Sequence, residues 1–404
     1  MSSVDSQRRV VSGMRPTGRL HLGHYHGVLK NWVRLQHEYE CFFFVADWHA
    51  MTTEYEHPQS LSANVWDMLI DWLAVGINPG SATLFIQSKV PEQAELHLLL
   101  SMLTPQSWLE RVPSYKDKQS LLRESEGLTY GLLGYPLLQA ADILTYRAGL
   151  VPVGADQVAH IEMARELARR FNHLYGREAG FEDNARLALK KLGKKTGKLY
   201  KELRKDFLSQ GNGDALLTAQ ALVREQASLT LADQERLIGY LEGIGRSILP
   251  EPQVMLAPMA KMPGLDGEKM SNSSANTIPL RAEPDEVSQQ IRTMRTDPAR
   301  VRLSDRGNPD VCPVWQFHRV YSDDAIQQRV QSACRGGQWG CLECKQPVID
   351  AIVAEQEPIR ARAFQYQQEP DLLRSLIADG TDKARDAARA TLDELREAMG
   401  LSYR

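Results

Sequence analysis

No apolar stretch of the chain reaches the length of about 18 residues that a membrane span needs, because charge interrupts each one early. The first residues, through Arg8 and Arg9, carry no apolar run ahead of a cleavage site, so no secretory signal is read and the cytoplasm is the expected compartment. An excess of one charge is also missing. Lysine and arginine number 48 against 51 aspartates and glutamates, a formal net charge of -3. That balance neither supports nor excludes a nucleic-acid partner; a polyanion binder of this composition must concentrate its basic residues locally. Cysteine is scarce, five in 404 residues. Cys41 stands alone in an apolar run, a small buried hydrophobe. The other four crowd into 312–344, which in a chain without a secretory signal points to metal ligation more than to disulfides. Internal repeats, long low-complexity linkers and a G-x-G-x-x-G dinucleotide loop are absent as well.

What is present is an ordinary globular balance, 43% hydrophobic and 25% charged, in a chain longer than one core usually covers. Two or three domains are expected. In the first half, buried apolar runs alternate with amphipathic stretches. Arg9–Met14, Cys41–Ala46, Ala82–Gln87 and Leu150–Val153 read as strands; Gly23–Glu38, Leu61–Val75, Leu128–Tyr146 and Asp156–Asn172 read as helices. This alternation implies an α/β fold, a mostly parallel sheet covered by helices. Composition then shifts. A lysine-rich helical stretch at 181–249 reads as an insertion, and Gln253–Ala257 returns to the strand pattern. The organisation expected is a Rossmann-like catalytic domain in two parts, 1–180 and 250–283, interrupted by the helical insertion, and an all-α domain at 284–404.

Two segments carry phosphate chemistry. Pro16-Thr17-Gly18-Arg19-Leu20-His21-Leu22-Gly23-His24 lies between the first strand and the first helix. A helix N-terminus at the carboxyl end of a parallel strand offers unpaired N–H groups and a positive dipole end to phosphate. Gly23 lets a nucleotide approach the backbone, and the imidazoles of His21 and His24 can donate to phosphate oxygens. Taken alone, the two histidines read more readily as capping and solvating a helix. Far downstream, Pro263-Gly264-Leu265-Asp266-Gly267-Glu268-Lys269-Met270-Ser271-Asn272-Ser273 forms a glycine-bearing loop after a strand, whose lysine and hydroxyls can meet charge on a triphosphate.

Together these segments resemble the HIGH and KMSKS signatures of class I aminoacyl-tRNA synthetases. The resemblance extends through Val11–Gly27, Phe42–Thr52, Ala82–Val90, Gly134–Tyr146, Leu150–Phe171 and Met262–Ser273, which look like the tryptophanyl branch. It covers most of 9–175 and 250–300. It implies an ATP-dependent, magnesium-assisted activation of tryptophan and its transfer to the tryptophan tRNA by a homodimer, one tRNA using both subunits. The implied catalytic set is His21, His24, Lys269, Ser271 and Ser273, and the ATP contacts are Arg15, Gly23, Lys118, Gly154, Asp156 and Met270. Asn272 departs from the pattern: it stands where the family has a second lysine, and its amide can bond phosphate but carries no charge.

The amino-acid pocket is read from Tyr135, Gln139 and Asp142, which share one helix face by their spacing of four and three. The resemblance makes Asp142 the acceptor for the indole N–H and gives Tyr135 and Gln139 the α-ammonium. A tyrosyl enzyme uses the same Tyr…Gln…Asp spacing, so tyrosine activation is an alternative, as is a synthetase-like protein that has lost catalysis. The context Leu150–Gln157 favours tryptophan: Val151 and Val153 pack the indole, and Gln157 and His49 complete the pocket floor. On position alone, His49 reads more readily as a structural histidine.

Cys312, Cys334, Cys341 and Cys344 form C-x21-C-x6-C-x2-C. Four thiolates suit zinc or an iron–sulfur cluster, and spacing alone places zinc first. The text around Cys334–Lys345 resembles tryptophanyl enzymes with a [4Fe–4S] cluster in the anticodon-binding domain, which implies the cluster, with zinc as the alternative. Lys190–Lys205 holds eight cations against Glu202 alone. Lys191, Lys194, Lys198, Lys201 and Lys205 recur at three or four residues, consistent with one basic helix face. That face either contacts tRNA or is simply solvated, with Gly193 and Gly197 weakening the helix.

Overall fold

The computed structural model describes residues 8–56, 58–113, 115, 129–176, 180–243, 245–256 and 262–403. Five strands, β1 (Arg9–Met14), β2 (Glu40–Val45), β3 (Ala82–Ile86), β4 (Leu150–Val153) and β5 (Gln253–Leu256), form one sheet in the order β3-β2-β1-β4-β5. Every pairing is parallel. Continuous apolar text explains this, since strands covered on both faces need no polar side. Successive side chains go to opposite faces. Phe43 stacks on Trp32 beneath one face, while Phe42 and Phe85 pack with Tyr146 on the other.

Helices connect and cover the strands. α1 runs through Leu22–His24, a π-helical turn at Tyr25–Leu29, and Lys30–Leu35. It is followed by α2 (Asp47–Glu54), α3 (Leu61–Ala74), α4 (Glu92–Ser101), α5 (Gln106–Glu110), α6 (Tyr130–Thr145) and α7 (Val158–Tyr175). Between β4 and β5 stand α8 (Phe181–Lys191), α9 (Gly193–Gln210), α10 (Gly213–Arg224) and α11 (Leu231–Glu242), which close over their own small core around Tyr200, Val223 and Leu237. The remainder is helical: α12 (Pro284–Thr293), α13 (Pro313–Tyr321), α14 (Asp324–Arg335), α15 (Cys341–Gln368) and α16 (Pro370–Ala398). α16 lies along the edge strand β3 so closely that a Cβ on Gly380 would stand 2.0 Å from the Leu84 carbonyl oxygen. It thereby covers an edge otherwise open to foreign strands.

The expected strands and principal helices of the first half are all present, with Arg9–Met14 and Leu150–Val153 as expected and the other ends shifted by at most three residues. The basic stretch is not one helix. Gly193 adopts φ +74 and separates α8 from α9, so Lys191 leaves the face shared by Lys194, Lys198, Lys201 and Lys205. Lys191 instead reaches back to the buried Asp233 at 2.6 Å.

Candidate active site

The strand order reverses between β1 and β4, and the crevice beyond their carboxyl ends is where an open parallel sheet binds ligands. Both expected loops arrive there. The 16–24 segment follows β1, and Gly154 to Gln157 follow β4. Gly154 precedes the short turn Ala155–Gln157 with φ -72, and Asp156 and Gln157 are exposed at its mouth.

His21 caps α1. Its Nδ1 accepts from the Gly23 amide at 3.1 Å, and His24 Nδ1 accepts from the His21 amide at 3.3 Å, a reciprocal box made by two imidazoles. Both Nδ1 atoms act as acceptors, so in the neutral ring the proton sits on Nε2. Burial holds both rings neutral, lowering His21 to about 4 and His24 to about 3, the latter helped by His21 and by the Lys269 charge. Two N–H donors without charge thus stand at a helix N-terminus.

The second loop docks onto the first. Leu22 N–H donates to Ile278 O at 3.0 Å and Leu280 N–H to Leu20 O at 2.9 Å. Met270 is buried against Gly23, where an added Cβ would meet the His21 ring at 2.8 Å and Met270 Cβ at 3.1 Å. Asn272 turns its amide toward Gly18, 3.4 Å from where a Cβ would stand. Asn276 organises the loop: its Oδ1 accepts from Ser271 N–H at 2.9 Å, and its Nδ2 donates to Asp266 and to Lys269 O. Nothing in the sequence singled out Asn276, although a buried amide in a polar loop must find such partners. Arg15 donates to Thr53 Oγ1 at 2.5 Å and is lowered by burial against the pull of Glu54 and Tyr135. Lys118 and the Ser273 side chain lie outside the described residues.

Tyr135, Gln139 and Asp142 project from α6 as their spacing requires, but to different depths. Tyr135 OH meets His160 Nε2 at 3.3 Å, and Gln139 Nε2 donates to Gln157 Oε1 at 3.4 Å near the mouth. Asp142 is 1% exposed. Its Oδ1 accepts from Gln87 Nε2 at 2.8 Å and Gln93 Nε2 at 2.9 Å, and its Oδ2 contacts His49 Nε2 at 2.8 Å. Burial raises its pKa, partly offset by His49 and Gln87. A carboxylate has about four lone-pair positions, and three are used, so one more donor fits. Val151 and Val153 are buried at the end of β4. Gln87 and Gln93 escaped the sequence reading; Gln87 follows directly on β3, and the carboxyl end of a strand was the available signal.

The cysteine expectation is not met in the same way. Cys312 begins α13, Cys334 ends α14, and Cys341 and Cys344 form the first turn of α15. Cys344 is pushed up to about 12 by burial and by the three other cysteines, so the four lie within electrostatic reach. Yet among the described residues no group of three or more His, Cys, Asp or Glu is arranged to hold a metal ion. The sulfurs take other partners: Cys344 faces His318 Nε2 at 3.4 Å, and Cys334 accepts from Arg300 at 3.8 Å.

A parallel sheet with its switch point bracketed by a histidine-capped phosphate loop and a docked lysine loop defines a nucleotide-binding domain of the HIGH type. The family model for "tRNA synthetases class I (W and Y)" matches residues 4–202 and 232–355, and the chain belongs to that family. The tryptophan–tRNA ligase of Ralstonia nicotianae is 63% identical over 98% of this chain and 99% of its own length. That of Thermotoga maritima is 39% identical over 98% and 100%. The crystal structure of the tryptophanyl-tRNA synthetase from Campylobacter jejuni, complexed with ADP and tryptophan, superposes with a TM-score of 0.73 at 27% identity over 97% of this chain and 100% of that one. These relatives give no support to the tyrosine or non-catalytic alternatives.

Proposed function

We propose that the protein activates tryptophan with ATP and transfers it to the tryptophan tRNA. The observation that carries the reading is the buried Asp142 carboxylate, with one acceptor position left, at the end of a pocket lined by Val151 and Val153. Indole N–H is a donor only, so an acceptor position on a buried carboxylate suits it; a phenol can also donate there, so rejection of tyrosine falls to the pocket walls at Val151 and Val153. A site built to pair one donor rejects analogues lacking it by ~10⁴–10⁵ without editing. Tyr135 and Gln139 hold the α-ammonium, and Gln157 and His49 close the floor. Gly154 and Asp156 meet the adenosine.

The tryptophan carboxylate attacks the α-phosphate in line, forming the mixed anhydride and releasing pyrophosphate. The neutral Nε2–H groups of His21 and His24 donate to phosphate oxygens, and Lys269, Arg15 and the Ser271 and Ser273 hydroxyls meet the charge that develops. Magnesium on the triphosphate supplies further charge neutralisation when bound. Asn272 contributes an amide in place of a second cation. The terminal ribose hydroxyl of tRNA then displaces the adenylate. The test is ATP–pyrophosphate exchange with tryptophan and tyrosine in parallel. Exchange with tryptophan alone is expected, and exchange with tyrosine or with neither overturns the reading.

Three finer readings belong with it. Cys312, Cys334, Cys341 and Cys344 form the ligand set of a structural [4Fe–4S] cluster, with zinc the alternative; what supports this is the C-x21-C-x6-C-x2-C spacing and the sequence around it. Iron and sulfide analysis of anaerobically purified protein tests this, and a metal-free protein sinks it. The protein is a homodimer, for which the exposed Leu98, Met102 and Tyr130 supply apolar surface; sedimentation decides it. It works in the cytoplasm, and among the described residues no helix is long and apolar enough to cross a membrane.

A further inference from the structure

The α8–α11 module joins the body at a narrow neck. The Arg246 amide donates to Gly176 O at 2.8 Å, closing the two chain ends on each other. Glycines allow the approach: a Cβ on Gly239 would stand 1.0 Å from Gly245 O. Glu235 of α11, itself buried, is bound by Arg246 and Arg147 of the body. The module is therefore held in a fixed orientation.

Its position follows from topology. β4 and β5 are parallel neighbours, so the chain must return from the carboxyl end of one to the amino end of the other. α7 makes that return over 18 residues, ~27 Å at 1.5 Å per residue. The module thus sits at the end of the sheet opposite the nucleotide crevice. The family model leaves 203–231 unmatched, within this module.

The stretch from the end of α8 through α9 is its cationic part. Lys190, Lys194, Lys195, Lys198, Lys201 and Lys205 are all exposed. Among the described residues none makes an ion pair except Lys198, whose contact with Glu202 is long at 3.9 Å. Several arginines of the body, by contrast, are neutralised by neighbouring carboxylates, Arg147, Arg281, Arg385 and Arg396 among them. Beside the lysine face lies a groove of about 380 Å³ lined by Leu189, Lys201, Arg204, Lys205, Ser209 and Tyr240. Arg204 lies flat over the Tyr240 ring at 4.1 Å, held by a 2.7 Å bond to Tyr240 O, so one wall presents a fixed guanidinium.

We propose that the α9 face and this groove bind the phosphate backbone of tRNA, at a part of the molecule remote from the acceptor end being charged. The inference rests on the proposed tRNA-charging reaction, which supplies a large polyanion to a protein that is otherwise net acidic. Unpaired lysines spaced along a helix neutralise phosphates and release counterions, without reading sequence. Distance from the crevice makes the contribution one of binding alone.

The experiment compares the full chain with a variant carrying Lys194→Ala, Lys198→Ala, Lys201→Ala and Lys205→Ala. Transcribed tryptophan tRNA is titrated at several salt concentrations, with tryptophan-dependent exchange measured in parallel. Each phosphate contact contributes a slope of about 0.7–0.9 in log affinity against log salt, so the variant should lose about 3 from the slope. Weaker tRNA binding at low salt, a raised KM for tRNA and unchanged exchange are expected, and a tRNA of another specificity should lose slope equally. An unchanged slope with intact exchange overturns the proposal. Absent exchange in the unmodified chain would instead count against the charging reaction.

Discussion

Asp142 holds an acceptor for the substrate at a cost. Burial raises its pKa, so the folded protein holds the proton more tightly than the unfolded chain does, and this group's contribution to stability falls as pH rises above the ordinary aspartate range. Asp142→Asn removes that cost and keeps its partners: the amide oxygen can accept from Gln87 and Gln93, and the amide nitrogen can donate to a His49 tautomer with a free Nε2. Thermal stability should be unchanged or higher while kcat/KM for tryptophan falls about 100-fold, as expected when a charge-assisted bond to substrate is lost. Differential scanning fluorimetry and exchange kinetics together check both halves. Gln87→Leu or Gln93→Leu should instead narrow the preference for tryptophan over its sulfur analogue benzothienylalanine, which lacks the N–H. His21 and His24 give the opposite pH sign to Asp142. Their folded values, about 4 and about 3, lie below the ordinary imidazole value, so the unfolded chain binds protons first. Their contribution to stability is complete above about pH 6.5 and is lost as pH falls toward 4, which acid-dependent melting will show. Both histidines were legible because two residues flanking a glycine announce themselves in the sequence. Gln87, Gln93 and Asn276 were not, since an amide acquires a role only from the buried partner that folding delivers.

At the scale of elements, β2 and β3 were readable because each is a short apolar run buried on both faces and bounded by polar residues. The basic face was read one lysine too long: Gly193, already visible as a weak point, ends one helix and admits another, so Lys191 drops out while Lys194, Lys198, Lys201 and Lys205 stay together. The π-helical turn at Tyr25–Leu29 was equally invisible, yet it places His26 against Tyr321 OH at 3.0 Å and Glu355 at 2.9 Å, while Lys30 reaches Glu355 at 2.8 Å. Glu355 is lowered to about 2, burial being outweighed by these partners, so its carboxylate stays charged through any working pH. It pins the phosphate-loop helix α1 to α15. Glu355→Gln should cost about 2 kcal/mol in chemical denaturation, the range for a hydrogen bond to a charged group. Gly239→Ala is the harsher change, because its new methyl meets backbone rather than a movable side chain. About 3 kcal/mol, measured the same way, is expected from overpacking.

Across the whole molecule, the C-terminal helix is structural cladding for the catalytic sheet. α16 covers β3 and is tied to α4 by Arg385 and Arg389 on Glu92 and by Arg396 on Glu95. Glu394 near its end also binds Arg147 at 2.6 Å and Arg246, so one side chain touches the end of the substrate helix and the root of the module. These contacts join segments separated by hundreds of positions, which is why the sequence disclosed helices at 284–404 without disclosing what they cover. The neck between Gly176 and Arg246 has a different bearing. The polypeptide leaves the body and re-enters it at adjacent points, where Arg246 N–H meets Gly176 O and Glu235 is held by Arg147 and Arg246. Whatever grows, shrinks or is exchanged behind such a neck leaves every strand and every ligand loop in register, so the module is free to change its cargo while the chemistry on the other side of the sheet stays fixed.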